Sequence, residues 1–134
     1  MLDTSIVSAP VAKTPNPFIV RRLEERGHQC AIGAPVWHEL AYGVRRLPRG
    51  RRRTTLESYL NDVVKVSFPI LPSDDTSALW HGHERARLEA LGRRTLFVDG
   101  QIAAIAHSHK LVLVTLNAKD FLPFAGLKVE NWSE

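Results

Sequence analysis

Cysteine is nearly missing from these 134 residues: Cys30 stands alone. One thiol closes no internal disulfide, so a reducing, cytoplasmic setting is expected, with Cys30 as a small buried hydrophobe. Long apolar runs are missing too. The best of them, Leu111–Leu116, falls far short of the roughly 20 residues of a membrane helix, so no membrane role is expected. No basic leader precedes an apolar block, so nothing reads as a secretory signal. There is no internal repeat and no low-complexity block. There is also no glycine-rich phosphate loop, which leaves nucleotide hydrolysis of the P-loop kind unsupported.

What is present is the balance of an ordinary globule, 44% hydrophobic and 24% charged. At roughly 100–200 residues per domain, residues 1–134 form one domain. Lys and Arg exceed Asp and Glu by four, but the excess is local. Six arginines lie in the nine residues Arg45–Arg53, which contain no acid. Outside that stretch the acids are in excess by two. A basic patch on a near-neutral body suits a phosphate backbone or an acidic partner, and equally suits a solvated loop.

Apolar spacing alternates between helix and strand. Pro10, Pro15 and Pro17 mark a loop, and Phe18–Arg26 reads as a helix with Phe18, Ile19, Arg22 and Leu23 on one stripe and Gly27 as its stop. Gln29–Ile32 suits a buried strand. Ala34-Pro35 opens a helix whose inner face is Val36, Leu40 and Val44. The next helix runs over Arg52–Val64, with Leu56, Tyr59, Leu60 and Val63 on one side. Val66–Leu71 contains Pro69, so it is at most an edge strand. Thr76–Leu91 follows an Asp74-Asp75 cap and ends at Gly92, and Ile102–Ala106 is a buried helical segment. Leu111–Thr115 is the clearest strand and Leu127–Val129 a weaker one. This alternation predicts a three-layer α/β/α domain with four or five mainly parallel strands.

In such sheets the functional crevice lies beyond the carboxyl ends of the strands. Asp3 follows the first apolar run, Glu39 opens the helix after the second strand, and Asp99 starts a helix with Ile102 and Ile105 on its core face. Asn117 and Asp120 follow Leu111–Thr115. Four acids and an amide from distant segments thus belong to one sheet edge. Gathered carboxylates repel one another and suit a hard cation, Mg²⁺ with Mn²⁺ as the alternative. A metal so held activates water and neutralises a phosphoryl oxygen, which is the chemistry of phosphodiester hydrolysis. Each acid also has an ordinary reading: Asp3 and Asp99 as helix caps, Glu39 as a response to a helix dipole, Asp120 as a turn acid. Those readings do not explain their shared edge.

The histidines give no comparable pattern. His38-Glu39 begins like a zincin helix, but Tyr42 stands where the second histidine must be, and His81/His83 and His107/His109 point apart at a spacing of two. Trp37, Trp80 and Trp132 suit core or interface positions, with Trp80 a candidate dimer contact.

Five segments in order resemble the PIN-domain ribonucleases, and within them the VapC/FitB-like toxins of bacterial toxin–antitoxin pairs. They are Leu2–Ser5, His38–Val44, Leu47–Arg52, Val98–Ala106 and Leu113–Phe121, with Asn131-Trp132 resembling the closing motif. The resemblance implies a Mg²⁺- or Mn²⁺-dependent endoribonuclease that dimerises and is silenced by a small antitoxin protein. RNA, including transfer RNA, is the implied substrate. Asp3, Glu39 and Asp99 fall on the first three acidic positions, with Asp3 and Asp99 as direct metal ligands and Thr4 or Ser5 as support for the first acid. Arg49, Arg51 and Arg52 fall on an arm near the substrate groove and are the expected RNA contacts, and Arg93-Arg94, close in sequence to Asp99, form a smaller patch also suited to phosphate. Two departures stand out. Asn117 occupies the fourth acidic position, so either it or Asp120 completes the set. Only Met1-Leu2 precede Asp3, so a start upstream or a trimmed first strand is expected. The rival readings are a catalytically weak PIN-like module that binds RNA or antitoxin, and a receiver-like signalling domain, which lacks the expected lysine and phospho-acceptor strand.

Overall fold

Five short parallel segments lie side by side. In the computed structural model, which describes residues 1–134, four are strands of two residues each: β1 (Ile32–Gly33), β2 (Ile70–Leu71), β3 (Leu113–Val114) and β4 (Val129–Glu130). The fifth is Leu2, bridged in parallel to Ile32 on one side and to Val114 on the other. With β1 on β2 and β3 on β4, the order is β2-β1-Leu2-β3-β4. The first segment of the chain is therefore the middle of the sheet, and the order reverses across it. Right-handed crossovers then place the helices leading to β1 and β2 on one face and those leading to β3 and β4 on the other. This is the three-layer arrangement expected.

The helices are α1 (Thr4–Val7), α2 (Pro17–Arg26), α3 (Ala34–Arg45), α4 (Arg51–Tyr59), α5 (Lys65–Ser67), α6 (Asp75–Ala90), α7 (Phe97–Ser108) and α8 (Ala118–Phe121). Leu2, Ile32 and Leu113 are fully buried across the sheet, and Val36, Leu40 and Val44 form the inner seam of α3. Helix α7 is buried nearly all round from Gly100 to Ala106, which the unbroken Ile102–Ala106 run anticipates. None of these helices is long and apolar enough to cross a membrane.

Several expectations need correction. The stretch before β1 is a 3-10 turn at Gly27–Gln29, and the strand begins only at Ile32. Cys30 is half-buried rather than buried, and its thiol donates to the Arg26 carbonyl at 3.3 Å. Phe18 is 51% exposed because the chain enters α2 through Asn16, whose side chain accepts from Phe18 N at 2.9 Å and turns the first residues outward. The long central helix is interrupted by a π turn at Leu60–Val64. The wider turn carries Val64 into the core and leaves Val63 out, where simple helical spacing placed Val63 inside. The last strand is Val129–Glu130 rather than Leu127–Val129.

Helix α6 is fastened to the loop after α8 by Glu84. This nearly buried carboxylate accepts from Arg87 Nε at 2.7 Å, Arg87 Nη2 at 2.9 Å and the Ala125 amide at 2.7 Å. Arg87, opposed by burial and helped by the Ala125 amide, holds the Glu84 carboxyl below its ordinary range. A depressed carboxyl contributes stability above its unfolded pKa and loses it as the pH falls. Glu84→Ala is expected to cost about 2 kcal/mol in denaturant unfolding at neutral pH, a deficit that shrinks below about pH 4. Equal unfolding midpoints for the two proteins at neutral pH would show that this clamp carries no stability.

Candidate active site

The reversal point of the sheet positions the first acid. Leu2 lies between β1 and β3, so Asp3 emerges at the crevice between them, and its own amide donates to Val114 O at 2.9 Å. Asp3 is only 7% exposed. One carboxylate oxygen caps α1 by accepting from Thr4 N at 2.8 Å, and the other accepts from the Thr115 hydroxyl at 2.7 Å. The capping reading of Asp3 is thus right, and it coexists with a fixed orientation toward the crevice. Thr115 was not among the expected residues. Its hydroxyl joins two parts of the site, because it also accepts from Asn117 N at 3.0 Å. A threonine closing the clearest strand was the available signal.

Of the expected support residues, Thr4 serves Asp3 through its backbone amide. The Thr4 hydroxyl is buried without a hydrogen bond of good geometry, although it lies close enough to Glu39 to favour that group's charged form. Ser5 Oγ accepts from Leu116 N at 3.2 Å and so ties α1 to the exit of β3.

Three further acids, Asp99, Glu39 and Asp120, lie near enough to Asp3 or to one another for their charges to interact. Asp99 lies in the first turn of α7, half-buried, with no capping bond of its own. Burial, followed by the charges of Asp3, Asp120 and Glu39, pushes its carboxyl up to about 6. Glu39, in α3, is raised by burial and by Asp3. These mutual effects place Asp3, Glu39, Asp99 and Asp120 in one electrostatic neighbourhood, although they come from four separate elements. Asp120, in α8, is the acid that acts on Asp99. The Asn117 side chain makes no capping bond to α8, and Asn117 enters the site's network through its backbone, its amide donating to Thr115 Oγ1 and its carbonyl accepting from Asp120 N at 3.0 Å.

This donor set fits a hard divalent cation. It is all oxygen, it lies at a crevice, and its repulsion is relieved by positive charge. No three of the acidic or imidazole side chains close on a single point. Since Mg²⁺ usually keeps several waters, Asp3 and Asp99, with Glu39 and Asp120 beside them, suit an ion held partly through water.

The expected RNA-contact arginines are not equivalent. Arg52 lines an apolar groove that runs to Thr4 and Glu39, and it donates to Val11 O at 3.0 Å. Arg49 and Arg51 are exposed and outside any ion pair, while Arg45 and Arg53 both hold Glu57. Trp132 is fully buried, and Trp80 stacks on His107 at 4.4 Å between ring centroids.

Comparison with known proteins agrees with this geometry. The tRNA(fMet)-specific endonuclease VapC of Shigella flexneri is 30% identical over 134 residues, covering 99% of this chain and 97% of its own. Toxin FitB of Neisseria gonorrhoeae is 29% identical over 124 residues, covering 90% of this chain and 89% of its own. The crystal structure of FitAcB from Neisseria gonorrhoeae superposes with a TM-score of 0.89 at 29% identity, covering 97% of this chain and 95% of that one. The PIN domain family matches residues 1–126. With five parallel segments in this order and its acids at the reversal point, the chain belongs to the PIN domain family.

Proposed function

We propose that this protein is a Mg²⁺-dependent endoribonuclease toxin of a toxin–antitoxin pair, acting in the cytoplasm on RNA phosphodiester bonds. The observation that carries the reading is the buried Asp3 carboxylate, fixed at the reversal point of the sheet by Thr4 N and the Thr115 hydroxyl, with Glu39, Asp99 and Asp120 from distant segments gathered near it. Four acids in one neighbourhood, the buried Asp3 and the half-buried Asp99 among them, are costly to a fold unless they serve a cation. The names of its relatives, an RNA endonuclease and a toxin, support the same class.

Bound at these acids, Mg²⁺ or Mn²⁺ supplies an activated water and neutralises charge on the phosphoryl oxygen. The protein's own residues do the rest. Thr4 N and the Thr115 hydroxyl hold both oxygens of Asp3, so the carboxylate presents one orientation. Asp99 faces it from the start of α7. Glu39, raised by burial and by Asp3, is the group suited to take the proton of the attacking water on its carboxylate. Asp120 supplies the fourth charge, in place of the neutral Asn117. Partners on this reading are RNA, transfer RNA among it, a small antitoxin protein and a second copy of the chain.

The test uses purified protein and total RNA with Mg²⁺, with Mn²⁺ and with chelator. Cleavage that needs a divalent ion is the expected result. RNA binding with no cleavage under either metal replaces this reading with the catalytically weak module.

A further inference from the structure

The largest cavity, about 540 Å³, is not at the acids. It lies beside them, where α6 ends and α7 begins. His81, Arg85, Arg93, Arg94 and Phe97 line it, and the turn at Gly92, with φ +72°, shapes its rim. Its only carboxylate is Glu89, which meets Arg85 at 3.3 Å. Arg93 and Arg94 are exposed and take part in none of the ion pairs. Phe97 is 55% exposed, with the Arg85 guanidinium 5.3 Å from its ring centre and the His81 ring at 4.9 Å.

We propose that this cavity seats the backbone of single-stranded RNA next to the bond that is cut, with Arg93 and Arg94 on phosphate and a base stacked on Phe97. The inference rests on the ribonuclease reading and adds where the substrate lies. The first argument is electrostatic. Four neighbouring acids repel a polyanion, so a substrate strand needs compensating positive charge close by. The second is chemical. Unpaired guanidiniums beside a half-exposed aromatic ring are what unstacked RNA uses, phosphate on the cations and base on the ring. The third is continuity. Phe97 precedes Asp99 by two residues in α7, and the buried His81 ring packs directly on Gly100, the neighbour of Asp99. In the Arg45–Arg53 run Arg45 and Arg53 are committed to Glu57 and Arg52 to a backbone carbonyl, while Arg49 and Arg51 are free and form the rival surface, away from any exposed aromatic ring of the Asp99 helix.

The probe is a short fluorescent oligouridylate, its anisotropy measured in chelator over a range of salt. Arg93→Glu with Arg94→Glu is expected to weaken binding at least about tenfold and to reduce the log–log salt slope by about 1.4, at about 0.7 per phosphate contact on single strands. Phe97→Ala is expected to weaken binding at least about fivefold with the slope unchanged. Should the double reversal fail to fold, Arg94→Gln is expected to lower the slope by about 0.7. A folded variant with unchanged affinity and slope overturns the proposal. So does a loss confined to Arg49→Glu with Arg51→Glu, or a shift in oligomeric state with RNA binding intact, which would assign the surface to a second copy. The two readings fail separately. Full cleavage by the reversal variant removes this subsite alone. Arg93-dependent binding by a native protein that never cleaves removes the ribonuclease and leaves the subsite.

Discussion

Asp99→Asn is expected to abolish RNA cleavage, by about a thousandfold or more, while making the metal-free protein more stable. The two effects have one cause. The Asp99 carboxyl is raised to about 6 by burial and by Asp3, Asp120 and Glu39. Its unfolded value is about 3.9. Below that value it is neutral in both states and costs nothing. As the pH rises through about 6 the folded protein must hold the charge against three others, so stability falls across that interval. Because the group is half-exposed, solvent screening limits the cost to about 1–2 kcal/mol. Asparagine removes it. Thermal melts of the metal-free proteins from pH 4 to 8 should therefore show decline for the native chain and a flatter curve for the variant. Added Mg²⁺ should recover stability in the native chain and far less in the variant. Identical pH dependence in both would mean that the acids do not form one charged cluster, and the proposed centre would fall with that result.

Gly100→Ala is expected to cost about 3 kcal/mol, although it adds one methyl group. A Cβ at Gly100 would overlap the imidazole of His81, with even Cε1 only 2.8 Å away. The ring is buried on α6 and packed against Phe97, so swinging it toward the neighbouring cavity gives up that packing. Otherwise helices α6 and α7 part, and Asp99 moves with them. Combining Gly100→Ala with His81→Ala should restore much of the loss, because the smaller side chain makes room. Chemical denaturation of the two single variants and the double variant measures that coupling, expected to exceed about 1 kcal/mol. A Gly100→Ala protein as stable as the native chain would refute the tight contact.

The residues that declared themselves in the sequence were those with a long period or a special position. Val36, Leu40 and Val44 marked α3, Ile102–Ala106 marked the buried stretch of α7, and the acids after strands pointed to one edge. Strand limits were less legible, because two-residue strands are shorter than any alternation that side chains can display. Leu2 is the extreme case: a single residue completes the sheet, and its neighbours in space come from residues 32 and 114. The π turn at Leu60–Val64 shifts the buried face by one residue without any change in composition. The choice between Asn117 and Asp120 was open for a related reason. Both follow β3, and of the two only Asp120 carries a charge that acts on Asp99. The role of Thr115 depends on a contact between distant segments, which spacing does not encode. The Arg93-Arg94 pair was legible as a small basic patch near Asp99, but the cavity it lines, built within residues 81–97, was not.

Asp3 is locked in place by a residue synthesised 112 positions later, through the Thr115–Asp3 hydrogen bond. Until that late stretch has emerged, the central acid has no strand on one side and no hydroxyl to orient it. Joining such remote partners is slow compared with forming a helix. The oriented acid therefore exists only once the segment carrying Thr115 has been made and has joined the segment carrying Leu2.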